Sequence, residues 1–133
     1  MIDAERGSTL SCMAVKSLFP ILRTRDLERL RRFYTDAFGA RVSYRYEQDG
    51  IEVYVAFEIG GGSLALGWDP EVDRGESIAL WLYVDDIDAA YRRAVTAGAD
   101  SVDAPAAMPW GEMVAQVRDP DGNALYLGVP SPG

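Results

Sequence analysis

The chain has no histidine and a single cysteine, Cys12. Without histidine, no Ser-His-Asp relay can form and no imidazole is available to a metal. One cysteine allows neither an intrachain disulfide nor a thiolate metal cage. Long apolar runs are missing too, since nothing approaches the roughly 20 residues of a membrane span. The start lacks the basic residues and apolar run of a secretory signal. Basic residues are scarce: 13 Lys and Arg stand against 21 Asp and Glu, for a net charge of -8. Such a surface repels nucleic acid and anionic membranes. The nearest approach to a phosphate loop, Gly60-Gly61-Gly62, lacks the following Lys-Ser/Thr and reads as a hairpin turn. From these absences we expect a cytoplasmic chain with no cofactor.

What is present is ordinary globular material, 133 residues with 48% apolar and 26% charged, enough for one core. Its order is less ordinary, because the second half repeats the first. Residues 20 to 42 read as an apolar strand, an acidic cap, a helix, a stop and a strand, and residues 80 to 102 read the same way. Asp26 matches Asp86, Leu27 matches Ile87 and Leu30 matches Ala90, each sixty positions on. Leu64-Ala65-Leu66-Gly67 matches Leu125-Tyr126-Leu127-Gly128, sixty-one positions on.

Each half opens with a short strand, residues 18 to 23 and 78 to 83. In the first helix Asp26 caps the orphan N–H groups, and Leu27, Leu30, Phe33, Tyr34, Ala37 and Phe38 form one apolar stripe. Gly39 stops it. In the second, Asp86 caps, Ile87, Ala90, Tyr91, Ala94 and Ala97 form the stripe, and Gly98 stops it. Arg29, Arg31, Arg32, Arg92 and Arg93 lie on polar faces, where no specific role is expected. Strands over residues 40 to 47, 51 to 59 and 63 to 68 follow the first helix, divided by Gln48-Asp49-Gly50 and the three glycines. After the second helix come a short strand near Val102, a loop with Pro105 and Pro109, and strands over 112 to 118 and 123 to 128. The last two flank Asp119-Pro120-Asp121-Gly122, a tight-turn sequence.

The chain therefore divides into a flexible arm (1–15), a first βαβββ module (16–68), a polar linker (69–76), a second βαβββ module (77–129) and a tail (130–133). Met13 is an alternative first residue. Period-two alternation assigns Leu64, Leu66, Leu80, Leu82, Leu125 and Leu127 to the helix side of the sheets, and Ala65, Ala79, Trp81 and Tyr126 to the opposite face. That opposite face is aromatic.

The paired βαβββ halves, the Asp-Leu and Asp-Ile helix starts, the Gly-Ala ends and the late DPDGNALYL resemble the vicinal oxygen chelate superfamily over roughly residues 17 to 128. This superfamily includes glyoxalase I, extradiol dioxygenases, epimerases, fosfomycin-modifying transferases and bleomycin-resistance proteins. The resemblance implies an α+β fold: a cup-shaped, partly open, eight-stranded mixed sheet built from the two modules. In the metal-dependent members it also implies four ligand positions on the concave face. Here they read Phe19, Ala65, Ala79 and Tyr126, which do not suit a metal. The stretch Met108-Pro109-Trp110-Gly111 resembles the antibiotic-binding branch. That branch binds bleomycin-, mitomycin- or quinoxaline-type compounds without turning them over, in grooves built by homodimers.

On this reading the ligand-binding residues are Phe19, Tyr54, Trp68, Trp81, Trp110, Met113 and Tyr126. Phe19 and Tyr126 fill the floor, and the three tryptophans supply flat rings for stacking. Met113, like Met108, offers adaptable apolar contact. Glu58 and Glu112 are polar selectors for a cationic group, with no catalytic residue and no metal. Each aromatic has a plainer role open to it, in the core or in a dimer interface, and each glutamate has simple solvation open to it. The expected function is sequestration or carriage of an aromatic or peptide antibiotic for self-resistance. Two alternatives stay open: a metal-independent lyase- or isomerase-type enzyme using Glu58, Tyr54 or Tyr126 as acid or base, and a protein-interaction module.

Overall fold

The computed structural model describes residues 17, 19–73 and 78–130. The arm expected over 1–15 lies outside the described residues, as do Met13 and parts of the linker and tail. The order is β1 (Ile21–Thr24), α1 (Leu27–Phe38), β2 (Arg41–Gln48), β3 (Ile51–Ile59), β4 (Gly62–Trp68), β5 (Ala79–Tyr83), α2 (Ile87–Thr96), β6 (Asp100–Ala107), β7 (Met113–Arg118) and β8 (Ala124–Val129). Each half is βαβββ.

Local chemistry sets the boundaries. The Asp26 carboxylate accepts from the Arg29 N–H at 3.1 Å, and Asp86 does the same for Ala89 at 3.1 Å. Both caps thus satisfy a donor that the helix leaves over. Gly39 ends α1 in the left-handed conformation, φ 68°. Asp49 and Gly50 both have positive φ, as a tight two-residue hairpin turn demands. One element differs from expectation. The loop placed around Pro105 is instead strand β6, eight residues long. Proline is tolerated there because β6 lies at a sheet edge and its pairing with β7 is irregular between Asp103 and Ala106.

The eight strands form two four-stranded mixed sheets, ordered β1-β4-β3-β2 and β5-β8-β7-β6. In each, the first strand of the half runs parallel to the last, and the other pairs are antiparallel. The eight strands are thus shared equally between two sheets, and no strand pair joins them among the described residues. Among the described residues, β1 and β5 each have one strand neighbour and one open edge.

The helix sides of both sheets share one core. Leu30, Phe33 and Tyr34 of α1, Val55, Phe57 and Leu66 of the first sheet, Ala94 of α2, and Val117 and Leu125 of the second sheet belong to the same buried cluster. The leucine assignment holds: Leu64, Leu66, Leu125 and Leu127 are buried, while Leu80 and Leu82 are half-buried against the core. Burial of this apolar area is the main stabilising term. Polar contacts then fix how the halves meet. Tyr34 Oη donates to Asp119 Oδ2 at 2.8 Å. Arg29 donates to the Pro120 carbonyl at 2.7 Å and Arg93 to the Asp36 carbonyl at 2.9 Å. These two helix arginines therefore have a specific role, against expectation, because the polar edge of each helix faces the other half. Arg31 has one as well, an ion pair with Glu52 at 3.1 Å.

Candidate functional site

With the helix sides committed to the core, the other face of each sheet is left open among the described residues. Alternation decides which residues stand there. On the second sheet, Trp81 pairs with Tyr126 across β5 and β8, and Tyr126 pairs with Gln116 of β7. The indole of Trp81 and the ring of Tyr126 are stacked, with centroids 5.5 Å apart and planes 18° from parallel. Tyr83, two residues along β5, meets Trp81 edge-on at 5.9 Å. Trp81 and Tyr83 are exposed and Tyr126 is half-buried.

Gly128 makes this stack possible. A β-carbon there would lie 2.9 Å from Trp81 Cζ2, inside any tolerable contact. Trp81 therefore lies flat across β8 because β8 has no side chain at that point. The repeat shows a weaker form of the same arrangement. Gly67, the counterpart of Gly128, faces Ile21, the counterpart of Trp81, and a β-carbon there would meet Ile21 Cγ2 at an ordinary 3.6 Å.

The Met108-Pro109-Trp110-Gly111 stretch forms a closed turn. The Met108 N–H donates to the Glu112 carbonyl at 2.8 Å, and the Gly111 N–H to the Met108 carbonyl at 3.0 Å. Gly111 takes φ 100°, open to glycine and strained for other residues. This turn folds Trp110 back so that its Nε1 donates to Glu112 Oε1 at 2.8 Å. From β5, Tyr83 Oη reaches Glu112 Oε2, also at 2.8 Å. The Tyr83 phenol is pushed up from its usual value, chiefly by this hydrogen bond to Glu112. It stays protonated, and so stays a donor.

The first sheet has its own open face. Tyr54 pairs with Tyr46 and Gly67, and its ring meets Tyr44 at 6.1 Å. Glu58 shares this face and is ion-paired with Arg41 at 3.0 Å. Phe19 lies two residues before Ile21, on the same side by alternation, and is 43% exposed.

Of the residues singled out from sequence, Trp81, Trp110, Glu112 and Tyr126 lie together on the second sheet, and Phe19, Tyr54 and Glu58 lie on the first. Two do not join either group. Trp68 has the parity of Leu64 and Leu66 and pairs with buried Thr24, so it leaves β4 on the helix side. Its Nε1 donates to the Arg25 carbonyl at 3.2 Å. Met113 has the parity of Ala115 and Val117, both buried on the helix side, and pairs with Val129. Strand alternation removes both from the aromatic face. Two residues of that face, Tyr83 and Gly128, are not among the expected ones. The parity of Tyr83 with Trp81 is the signal that points to the first.

Of the four positions that the resemblance assigns to a metal, Phe19 and Ala65 belong to the first half and Ala79 and Tyr126 to the second. Ala65 and Ala79 have no donor atom, and the Tyr126 ring is engaged in the stack. These residues do not fit a metal.

A cleft of about 800 Å³ runs beside the open edge of β5. Tyr34, Ala37 and Phe38 of α1, Leu80 to Tyr83, and the Gly60–Gly62 turn line it. Trp81 and Tyr83 thus face both this cleft and the open sheet face.

Two βαβββ modules on a shared helical core, with aromatic open faces, define the paired-module fold. Residues 14–127 match the Glyoxalase/Bleomycin resistance protein/Dioxygenase superfamily, and the chain belongs to it. Among its relatives is an uncharacterized protein of Mycobacterium tuberculosis, 31% identical with 95% of this chain and 81% of that protein covered. A Mycobacterium bovis protein is 32% identical over 86% of this chain and 83% of its own length. A glyoxalase-related enzyme from Fulvimarina pelagi has a similar structure, with TM-score 0.72 and 25% identity over 87% of this chain and 89% of that one. The fold is also that of the bleomycin resistance determinant encoded on transposon Tn5, with TM-score 0.67 and 24% identity over 86% of this chain and 98% of that one. Among the described residues, no helix is long and apolar enough to cross a membrane.

Proposed function

We propose that this protein is a non-catalytic, cytoplasmic binder that sequesters or carries an aromatic or peptide natural product of the bleomycin, mitomycin or quinoxaline type. One observation carries the reading: the stacked pair of Trp81 and Tyr126 stands on a sheet face that nothing in the chain covers among the described residues. Flat exposed rings held in register bind planar ligands at little cost in ordering, and each aromatic pairing contributes about 0.5–1.5 kcal/mol beyond area burial. The bleomycin resistance determinant that shares the fold supports this direction.

The groove is a property of two copies. Within one chain each aromatic sheet is a single wall, and β1 and β5 keep open edges. A second chain that lays its first sheet against this second sheet supplies the other wall. Tyr54, Phe19 and Ile21 then face Trp81 and Tyr126.

Titration with DNA-intercalating and bleomycin-class compounds tests the reading. Tryptophan fluorescence is expected to quench in wild type, and quenching is expected to be much reduced in Trp81→Ala. Sedimentation is expected to give a species of two chains. Unchanged fluorescence and an unchanged melting temperature across such compounds would sink the reading.

A further inference from the structure

We propose that Glu112 selects a positively charged nitrogen on the ligand, so that the occupant of this site is a planar aromatic cation. The inference rests on the binding function proposed above and narrows it. Glu112 is held from two sides, by Trp110 Nε1 on one oxygen and Tyr83 Oη on the other, each at 2.8 Å. Two anchors on separate segments fix the carboxylate in place before any ligand arrives, which removes much of the ordering cost of binding. Each oxygen can accept a further bond, because a carboxylate offers about four lone-pair sites and two are used.

Both anchors are neutral. They orient the negative charge without cancelling it. Glu58 and Glu52 are treated differently. Glu58 is paired with Arg41 at 3.0 Å, and Glu52 with Arg31 at 3.1 Å and Arg45 at 3.4 Å. Among the described residues, Glu112 has no such cationic partner. A carboxylate that is aimed, half-buried and uncompensated is suited to a donor brought by the ligand.

Its position supplies a second feature. Tyr83, the anchor on β5, touches Trp81 edge-on, and Trp81 stacks on Tyr126. The charge thus lies one ring away from the stacking surface. The electron-rich faces of Trp81 and Tyr126 also favour a cation over a neutral ring. An amine, amidine or guanidine attached directly to a flat ring system meets both features at once.

The test compares proflavine, a planar cation, with acridone, a neutral ring system of the same shape, by calorimetric titration. Wild type is expected to bind proflavine at least about tenfold more tightly, the size of one charge-assisted hydrogen bond. Glu112→Gln is expected to remove that preference. Asp88→Asn, which removes the same charge from the exposed start of α2, is expected to keep it. In wild type the preference should also shrink as salt is raised, a measurement that stands if the Gln variant does not fold. Equal binding of both probes by wild type, with both lost in Trp81→Ala, would overturn the selection by Glu112 and leave the binder standing. A preference that survives in Glu112→Gln does the same. Failure of both probes to bind wild type would overturn the binding function itself, and this inference with it.

Discussion

The Tyr34 hydroxyl donates to Asp119 across 85 residues of sequence, and both side chains are wholly buried. The bond runs from the first helix to the turn between the last two strands. It ties one half of the duplication to the other in a region where water cannot substitute. Asp119 also accepts from the N–H groups of Asp121 and Asn123, both at 2.9 Å, and from Asn123 Nδ2 at 2.7 Å. The whole DPDGN turn is folded around this one carboxylate.

Removing the hydroxyl alone isolates its worth. Tyr34→Phe keeps the ring and leaves Asp119 one donor short in a buried place. A loss of about 1–3 kcal/mol in urea denaturation is expected. In a cycle with Asp119→Asn, the double variant should lose less than the sum of the two single variants. Strict additivity would mean that the pair is not coupled.

The same carboxylate gives a dependence on pH. Burial pushes the Asp119 carboxyl above its ordinary value, and its four donors offset only part of that. The folded state then holds the proton at a pH where the unfolded chain has released it. With more protons bound when folded, stability falls as pH rises through the window between the unfolded and folded values. Asp119→Asn lacks this titration. Wild type should therefore gain stability relative to Asp119→Asn as pH is lowered from neutral through that window. The difference should level off once both states are protonated. Urea midpoints at a series of pH values for the two proteins measure it, and a difference that grows in the opposite direction would refute it.

The paired glycines offer a matched test of the aromatic platform. Gly128→Ala forces its β-carbon against the rigid Trp81 indole at 2.9 Å, so the stack with Tyr126 must open. Trp81 is exposed, so the indole is displaced rather than a core overpacked, and the main expected effect is a changed tryptophan emission with weaker probe binding. Gly67→Ala places its β-carbon 3.6 Å from Ile21 and should be close to neutral. Equal effects at the two sites would contradict the contact geometry.

Metal removal and addition should be silent. Phe19, Ala65, Ala79 and Tyr126, the positions that the resemblance assigns to a metal, carry one side-chain oxygen among them. Melting temperature and probe affinity are expected to be the same with a chelator as with added zinc, nickel or manganese. A reproducible rise in melting temperature with any of these ions would show a donor set elsewhere.

Much of this architecture is legible in the sequence because the signals are local. Asp26 and Asp86 mark helix starts by what a carboxylate does for orphan N–H groups. Gly39 marks an end by its accessible left-handed conformation. The alternation of Leu80, Trp81 and Leu82 puts Trp81 on the open face, beside Tyr126 in the matching strand. The reading fails where residue type is put ahead of parity. Trp68 shares the register of Leu64 and Leu66, and Met113 that of Ala115 and Val117, so alternation already assigns both to the helix side. Pro105 suggests a loop, since sequence does not say that a strand will lie at an edge. The clamp on Glu112 is out of reach for a different reason. It depends on how Gly111 bends the chain beneath Trp110, and on a tyrosine 29 residues away on another strand.

The bond between Tyr34 and Asp119 also bears on how such a protein can change. A gene made by duplication begins with halves that can be swapped like cassettes. Here one half holds the donor and the other holds the acid, and no like pair runs in return. Sixty positions on from Tyr34 stands Ala94. Phe57 faces Leu64 as Val117 faces Leu125, so the place of Asp119 in the first half belongs to Ile59. Neither Ala94 nor Ile59 has a polar side chain. A first half taken from a relative without a hydroxyl at the place of Tyr34 would leave the buried Asp119 one donor short. The two copies have become specialised partners, and this buried bond is one of the contacts that makes them so.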